Sequence, residues 1–288
     1  MRFSEDRISK LTCSDGQERN IHIWEPETPR MVFLAVHGLM DHGGSYVVPA
    51  LFFRDHQIAT VAHDQNGHDH FGQDDPGKVM IPRFEDLLED LDLMIRWVKE
   101  HYPGLPIFIM GHSMGGLVTT HFGISRLEAD PQIKGFVASA PYFVNAVKTP
   151  WIILKLAGVL SALFPGMVVP AEDFMLNLTH DQEIYNRHRK DEQDGVRVSR
   201  VSFGFAGELL KAQAWIPGNI ARWKHPMLVI VAGNDKVADP KAIREMMVKI
   251  EPGLVTELYY PDNYHENFNE LNREEIFARI IEWVDKIS

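Results

Sequence analysis

The hexapeptide Gly111-His112-Ser113-Met114-Gly115-Gly116 sets a serine between two glycines at G-x-S-x-G spacing. An apolar run at 107–110 leads into it and a helix-forming stretch at 116–129 leads out, so the serine falls on a strand-to-helix bend. A side chain turned outward on so tight a bend sits on strained backbone, and bulky neighbours at 111 and 115 would strike the adjoining strand or helix. Glycine at both positions removes that collision. The amide of Met114 then lies at a helix N-terminus, where it can donate to a developing oxyanion. The chemistry this predicts is nucleophilic attack by Ser113 on an acyl carbon.

Serine at its ordinary pKa is a weak nucleophile and needs a histidine base oriented by an acid, which follow in the chain order Ser, Asp or Glu, His. Of the histidines after Ser113, His121 falls inside the following helix, His180 and His188 fall in a segment without strand pattern, and His225 precedes a strand. His265 alone follows the last apolar run, in the loop 261–267. It is the expected base. The run 227–231 opens into Ala232-Gly233-Asn234-Asp235, and Asp235 is the expected acid, whereas Asp239-Pro240 reads as a helix N-cap and first helical residue. A second oxyanion donor is expected from the amide of Leu39, in His37-Gly38-Leu39-Met40, with His37 bracing that loop through backbone hydrogen bonds.

The elements that position these residues alternate along the chain. Short apolar runs lie at 31–36, 58–62, 107–110, 135–138, 227–231 and 256–260; most are too continuously apolar to have a solvated face, and they read as parallel strands covered on both sides. Between them lie helical periods, clearest over 84–101, where Leu87, Leu88, Leu91, Met94, Ile95 and Val98 share a face and Glu85 and Asp86 suit the positive end of the helix dipole. Further helices are expected at 116–129, 240–250 and 273–287. The predicted class is α/β, a mostly parallel, doubly wound sheet. Asp15-Gly16 between two extended stretches predicts an antiparallel hairpin at its edge. Alternation fails over 142–222, read as an inserted helical cap on a core of 1–141 and 223–288.

Composition narrows the function classes. With 29 basic and 40 acidic residues among 288, the formal charge of −11 argues against a protein that grips nucleic acid by bulk positive charge. A single cysteine, Cys13, rules out an intrachain disulfide and a cysteine metal cluster. The start, 1–10, is charged and lacks the apolar stretch of a signal peptide, so a cytoplasmic location is expected.

Taken together these residues resemble the monoacylglycerol lipase and lysophospholipase branch of the α/β-hydrolases, of serine aminopeptidase S33 type. The resemblance rests on His37-Gly38, Asp41-His42 with Tyr46, Asp64 with Gly67-His68, the run from Tyr102 through Gly116, Gly233 with Asp235, and His265 ahead of Glu270. It implies a Ser113, Asp235, His265 triad that hydrolyses a lipid-like monoacyl ester through an acyl-enzyme, without a cofactor. The loop Gly67-His68-Asp69-His70-Phe71 departs from the family pattern, with Asp69 and Phe71 in place of small residues.

Two further features have competing readings. His63-Asp64 and His68-Asp69-His70 have types and spacing that could ligate zinc or iron, but most of them match family positions that hold no metal, and loop bracing is the expected role. The run 151–164, opening on Trp151 and closing on Phe164, is apolar on nearly every side yet shorter than the about 20 residues a bilayer span requires. It reads either as a buried helix or, as the resemblance implies, as a cap helix that lines an acyl tunnel and makes peripheral contact with lipid. Arg187, His188, Arg189 and Lys190 read either as contacts to a substrate head group or, by default, as a solvated charge run. A short-chain carboxylesterase, an aminopeptidase-like amidase and a catalytically idle binding module are the competing functions.

Overall fold

Along the strand Met31–Val36, alternate side chains enter two different cores. Val32, Leu34 and Val36 pack with residues from the helices on one face, while Met31, Phe33 and Ala35 pack with those on the other. A strand buried on both faces needs apolar side chains at every position, which is why the run shows no alternation. The computed structural model describes residues 3–68, 78–147, 161, 163–170 and 175–288. Within them lies an eight-stranded sheet of β1 (Arg7–Thr12), β2 (Glu18–Trp24), β3 (Met31–Val36), β4 (Ile58–His63), β6 (Ile107–His112), β7 (Ile133–Ser139), β10 (Met227–Ala232) and β11 (Val255–Tyr260). Its order is β1-β2-β4-β3-β6-β7-β10-β11.

The six strands from β4 to β11 run parallel, and β1 and β2 join antiparallel at one edge as the hairpin expected at Asp15-Gly16. Gly16 takes φ +79° at that turn. Helices α2 (Phe84–His101) and α3 (Met114–Ser125) contribute to the core on one face, and α1 (Val47–Asp55) and α7 (Arg273–Ile287) to the core on the other. The sequence bounds for α2 and α7 agree with the structure; the helix expected over 116–129 begins two residues earlier and ends at Ser125. Helix α6 (Pro240–Met247) starts as expected on Asp239, whose Oδ1 accepts the Lys241 and Ala242 amides at 2.9 and 3.2 Å.

Between β7 and β10 the chain departs from the sequence expectation in one respect. Besides helices α4 (Gln182–Gln193) and α5 (Phe203–Asn219), it carries two short strands, β8 (Val168–Pro170) and β9 (Arg200–Ser202). These form a second sheet with β5 (Lys78–Val79), in the order β5-β9-β8. Strands of two or three residues are too short to show a hydrophobic period, so only the tertiary pairing reveals them. Most of the run 151–164 lies outside the described residues. At its end Leu163 and Phe164 are exposed. Asp69, His70 and Phe71 also lie outside the described residues. Among the described residues no helix is long and apolar enough to cross a membrane.

Candidate active site

The bend after β6 puts Ser113 at φ 54°, ψ −118°, a backbone conformation that L-residues rarely adopt. It is held there by neighbours on both sides: the Ser113 amide donates to Ser139 O at 3.0 Å and its carbonyl accepts the Tyr142 amide at 3.0 Å. The flanking glycines are required by contact as well as by conformation. A Cβ on Gly111 would lie 2.5 Å from Gly115 O, and one on Gly115 would lie 2.0 Å from Val36 O in β3. Close packing of α3 against two strands therefore depends on the absence of those atoms.

The structure brings the three expected residues together. Ser113 Oγ lies 2.8 Å from His265 Nε2, and His265 Nδ1 lies 2.7 Å from Asp235 Oδ2. This is the geometry of a hydroxyl donating to an imidazole that in turn donates to a carboxylate. Asp235 cannot swing away, because its other oxygen, Oδ1, accepts the amides of Val237 at 2.7 Å and Ala238 at 3.0 Å. All three side chains are buried. They sit on three separate loops at the carboxyl ends of β6, β10 and β11, the edge where a doubly wound sheet presents its ligand crevice. A parallel sheet is what makes one edge collect them.

The two amides expected to hold an oxyanion lie at the same edge. Met114 is the first residue of α3, and neither its amide nor that of Leu39 has an acceptor among the described residues. Leu39 follows Gly38, where a Cβ would approach Ser113 Cβ to 3.3 Å. His37 holds this loop as expected: its Nδ1 donates to Gly38 O at 2.8 Å, its Nε2 accepts the Gln65 amide at 3.0 Å, and Gln65 Nε2 donates to His37 O at 2.7 Å. Burial pushes the His37 pKa down to about 4, so the ring stays neutral and keeps one donor and one acceptor. His112 is likewise neutral, lowered to about 4 by burial and by His265, whose ring centroid is 4.8 Å away.

A cavity of about 360 Å³ opens on these groups. Its lining mixes the apolar side chains of Leu39, Met40, Tyr142, Met175, Leu178, Val198 and Val237 with the charged ones of Asp41, Arg189, Glu192, Arg197, Arg200 and Glu266. A ligand that carries both apolar and polar groups fits such a lining.

Glu5 and His22, which brace the site together with Asp64, were not visible in the sequence. His22 bridges Glu5 (2.8 Å) and Asp64 (3.3 Å), and Asp64 accepts the Gly43 amide at 2.8 Å, fastening the chain beyond the Leu39 loop. Burial alone would lower the His22 pKa, but the hydrogen bonds to the two carboxylates outweigh it and raise it to about 9. The metal reading of His63, Asp64 and His68 gains no cluster from this arrangement. Among the described residues no three His, Cys, Asp or Glu side chains converge as a metal would require. The charge run 187–190 also divides: Lys190 is exposed, Arg189 lines the cavity, and His188 is buried against Glu266. A helix face is solvated only where nothing packs on it, and here the base loop does.

The fold and the site define a serine hydrolase of the α/β-hydrolase class. A model of the serine aminopeptidase S33 family matches residues 27–272, and the chain belongs to that family. It is 27% identical over 269 residues to phospholipase YtpA of Bacillus subtilis, spanning 91% of this chain and 98% of that one. It is 26% identical over 279 residues to an uncharacterised abhydrolase domain-containing protein of Dictyostelium discoideum, spanning 96% of this chain but 29% of that protein. The crystal structure of Paleococcus ferrophilus monoacylglycerol lipase matches with a TM-score of 0.80 at 25% identity, covering 94% of this chain and 100% of the other.

Proposed function

We propose that this protein hydrolyses a lipid-like monoacyl ester, a monoacylglycerol or a lysophospholipid, with Ser113, His265 and Asp235 as its catalytic residues. The observation that carries the reading is the unbroken Ser113–His265–Asp235 hydrogen-bond chain facing a cavity lined by both apolar and charged side chains. The names borne by the Bacillus and Paleococcus proteins support the choice of substrate class.

In this reading Ser113 Oγ attacks the ester carbonyl as His265 Nε2 takes its proton, and Asp235 stabilises the imidazolium. The tetrahedral oxyanion is held by the amides of Leu39 and Met114. Collapse breaks the bond to the alcohol oxygen, which leaves with the proton from His265. Water, deprotonated by the same histidine, then attacks the acyl-serine, and as the bond to Oγ breaks His265 returns the proton to Ser113 and the fatty acid is released. No cofactor takes part.

Residues 142–222 act as the cap over this site. The run 151–164 supplies a peripheral contact with lipid on a protein that works in the cytoplasm, in keeping with its lone buried cysteine. An amidase that selects a substrate amine is disfavoured by the charges in the cavity. Glu192 pairs with Arg189 at 3.3 Å, and Asp41 and Glu266 share Arg197, so the acids present no net negative pocket.

The test is hydrolysis of monooleoylglycerol, lysophosphatidylcholine and a short nitrophenyl ester by wild type and Ser113→Ala, each substrate titrated through its aggregation threshold. Serine-dependent preference for a long-chain lipid is expected. Turnover of the short ester alone would reduce the protein to a general esterase.

A further inference from the structure

Arg197 is a buried guanidinium at the meeting point of three loops, and the reaction sequence above gives it no part. Its Nη1 donates to His188 Nδ1 at 2.6 Å, and His188 Nε2 donates to Glu266 Oε2 at 2.7 Å. Its Nη2 donates to Glu266 Oε1 at 3.4 Å, while Nη1 stands 3.9 Å from Asp41 Oδ1. The next amide, Val198, donates to Met40 O at 3.3 Å. Glu266 is bonded in sequence to His265, and Asp41 lies two residues beyond Leu39. One side chain from the inserted segment thus reaches both the loop that carries the base and the loop that carries an oxyanion donor.

We infer that Arg197 is a positioning residue, which holds the His265 loop and the Leu39 loop in register across the site. The inference rests on the assignment of Ser113 and His265 as nucleophile and base, and is independent of which ester is the substrate. The arginine is itself fixed from behind. Both its own amide and that of Val196 donate to Asp191 O, at 3.0 and 2.8 Å, at the end of α4. His188 is held neutral by burial and by the neighbouring guanidinium, so with Nδ1 accepting it must carry its proton on Nε2, toward Glu266. Removal of the guanidinium takes from two buried carboxylates, Glu266 and Asp41, the cation that contacts both, leaving Arg187 as the guanidinium that still acts on them. Buried carboxylates that lose a direct partner seek water, and each would draw its loop with it. A displacement of about 1 Å in such groups is worth about 100-fold in rate.

The experiment compares Arg197→Met, Glu266→Gln, the pair combined, and Ser202→Ala, which removes the N-cap hydrogen bond of α5 to Phe205 N and touches neither loop. Each is assayed on nitrophenyl acetate and on a long-chain monoacylglycerol, labelled with a fluorophosphonate, and melted by circular dichroism. Arg197→Met is expected to lower kcat about 10- to 100-fold on both esters with KM within about threefold, and to slow labelling in step. Glu266→Gln is expected to lower kcat less, and the double variant no more than Arg197→Met, because both act through one contact. Ser202→Ala should lower the melting temperature and leave kcat unchanged.

The inference is overturned if Arg197→Met keeps kcat within about threefold of wild type, or if its loss is confined to KM for the glyceride, which would mark a head-group contact instead. If Arg197→Met does not fold, Glu266→Gln decides: an unchanged kcat refutes, and a fivefold or greater loss with unchanged KM supports. A wild type that neither labels nor hydrolyses any ester refutes the catalytic reading of Ser113 itself, which is a different failure.

Discussion

Asp235→Asn isolates the electrostatic and tautomeric part of the site with almost no change in shape. In the wild type, Asp235 Oδ1 accepts the Val237 and Ala238 amides at 2.7 and 3.0 Å and Oδ2 faces His265 Nδ1 at 2.7 Å. An asparagine has one acceptor oxygen, and two fixed backbone donors claim it. The amide nitrogen must then point at His265. A donor facing Nδ1 forces that atom to accept, so the ring proton moves to Nε2, the atom that has to take the proton of Ser113. A base held in the wrong tautomer loses about 10⁴-fold in kcat, or about 5 kcal/mol of transition-state stabilisation. The backbone hydrogen bonds survive, so the melting temperature should change little. The assay is steady-state hydrolysis of a soluble nitrophenyl ester with a parallel thermal melt. Retention of more than about a tenth of wild-type kcat would refute the tautomer argument. A large loss accompanied by a collapsed melting temperature would refute the premise that the amides fix the residue.

Other consequences follow from contacts described above. Gly115→Ala puts a methyl 2.0 Å from Val36 O, a backbone atom that cannot swing aside, and should destabilise the protein by more than about 3 kcal/mol in a denaturant titration; a change below about 1 kcal/mol would mean that α3 shifts freely. His22, with its folded pKa raised to about 9 from 6.5, contributes stability that is complete below pH 6.5 and is lost as pH rises through about 9. That contribution is at most about 3 kcal/mol, and the difference in unfolding free energy between wild type and His22→Gln should shrink across that window; a difference constant with pH would remove the imidazolium from the account. Cys13, its thiol pushed up to about 12 by burial and then by Asp90, should resist iodoacetamide at pH 8 until the chain is unfolded, and fast native labelling would contradict its burial.

The sequence was most informative where chemistry depends on local spacing. Ser113 needs its two glycines within two residues on either side, and that requirement is legible in the local spacing, although the atom that a Cβ on Gly115 would strike lies on the distant strand β3. His265 and Asp235 could be chosen because a parallel sheet places successive loops at one edge, so their order after strands is enough. The network around Arg197 was not legible, because its partners lie 9 and 69 residues away and no local period links them. For the same reason His188 read as part of a solvated run: its helix shows a polar face, and the loop that buries it comes late in the chain. The strands β8 and β9 were missed because three residues carry no period, and each gains its hydrogen bonds only from a distant segment.

The central claim is that Ser113 carries the acyl group, and the most direct measurement is mass spectrometry of the enzyme quenched in acid during turnover of monooleoylglycerol. The account predicts an oleoyl adduct on the peptide containing Ser113, absent from Ser113→Ala and accumulating in a variant slow to deacylate. Turnover of the lipid by Ser113→Ala at the wild-type rate, with no acylated peptide in either protein, would contradict it.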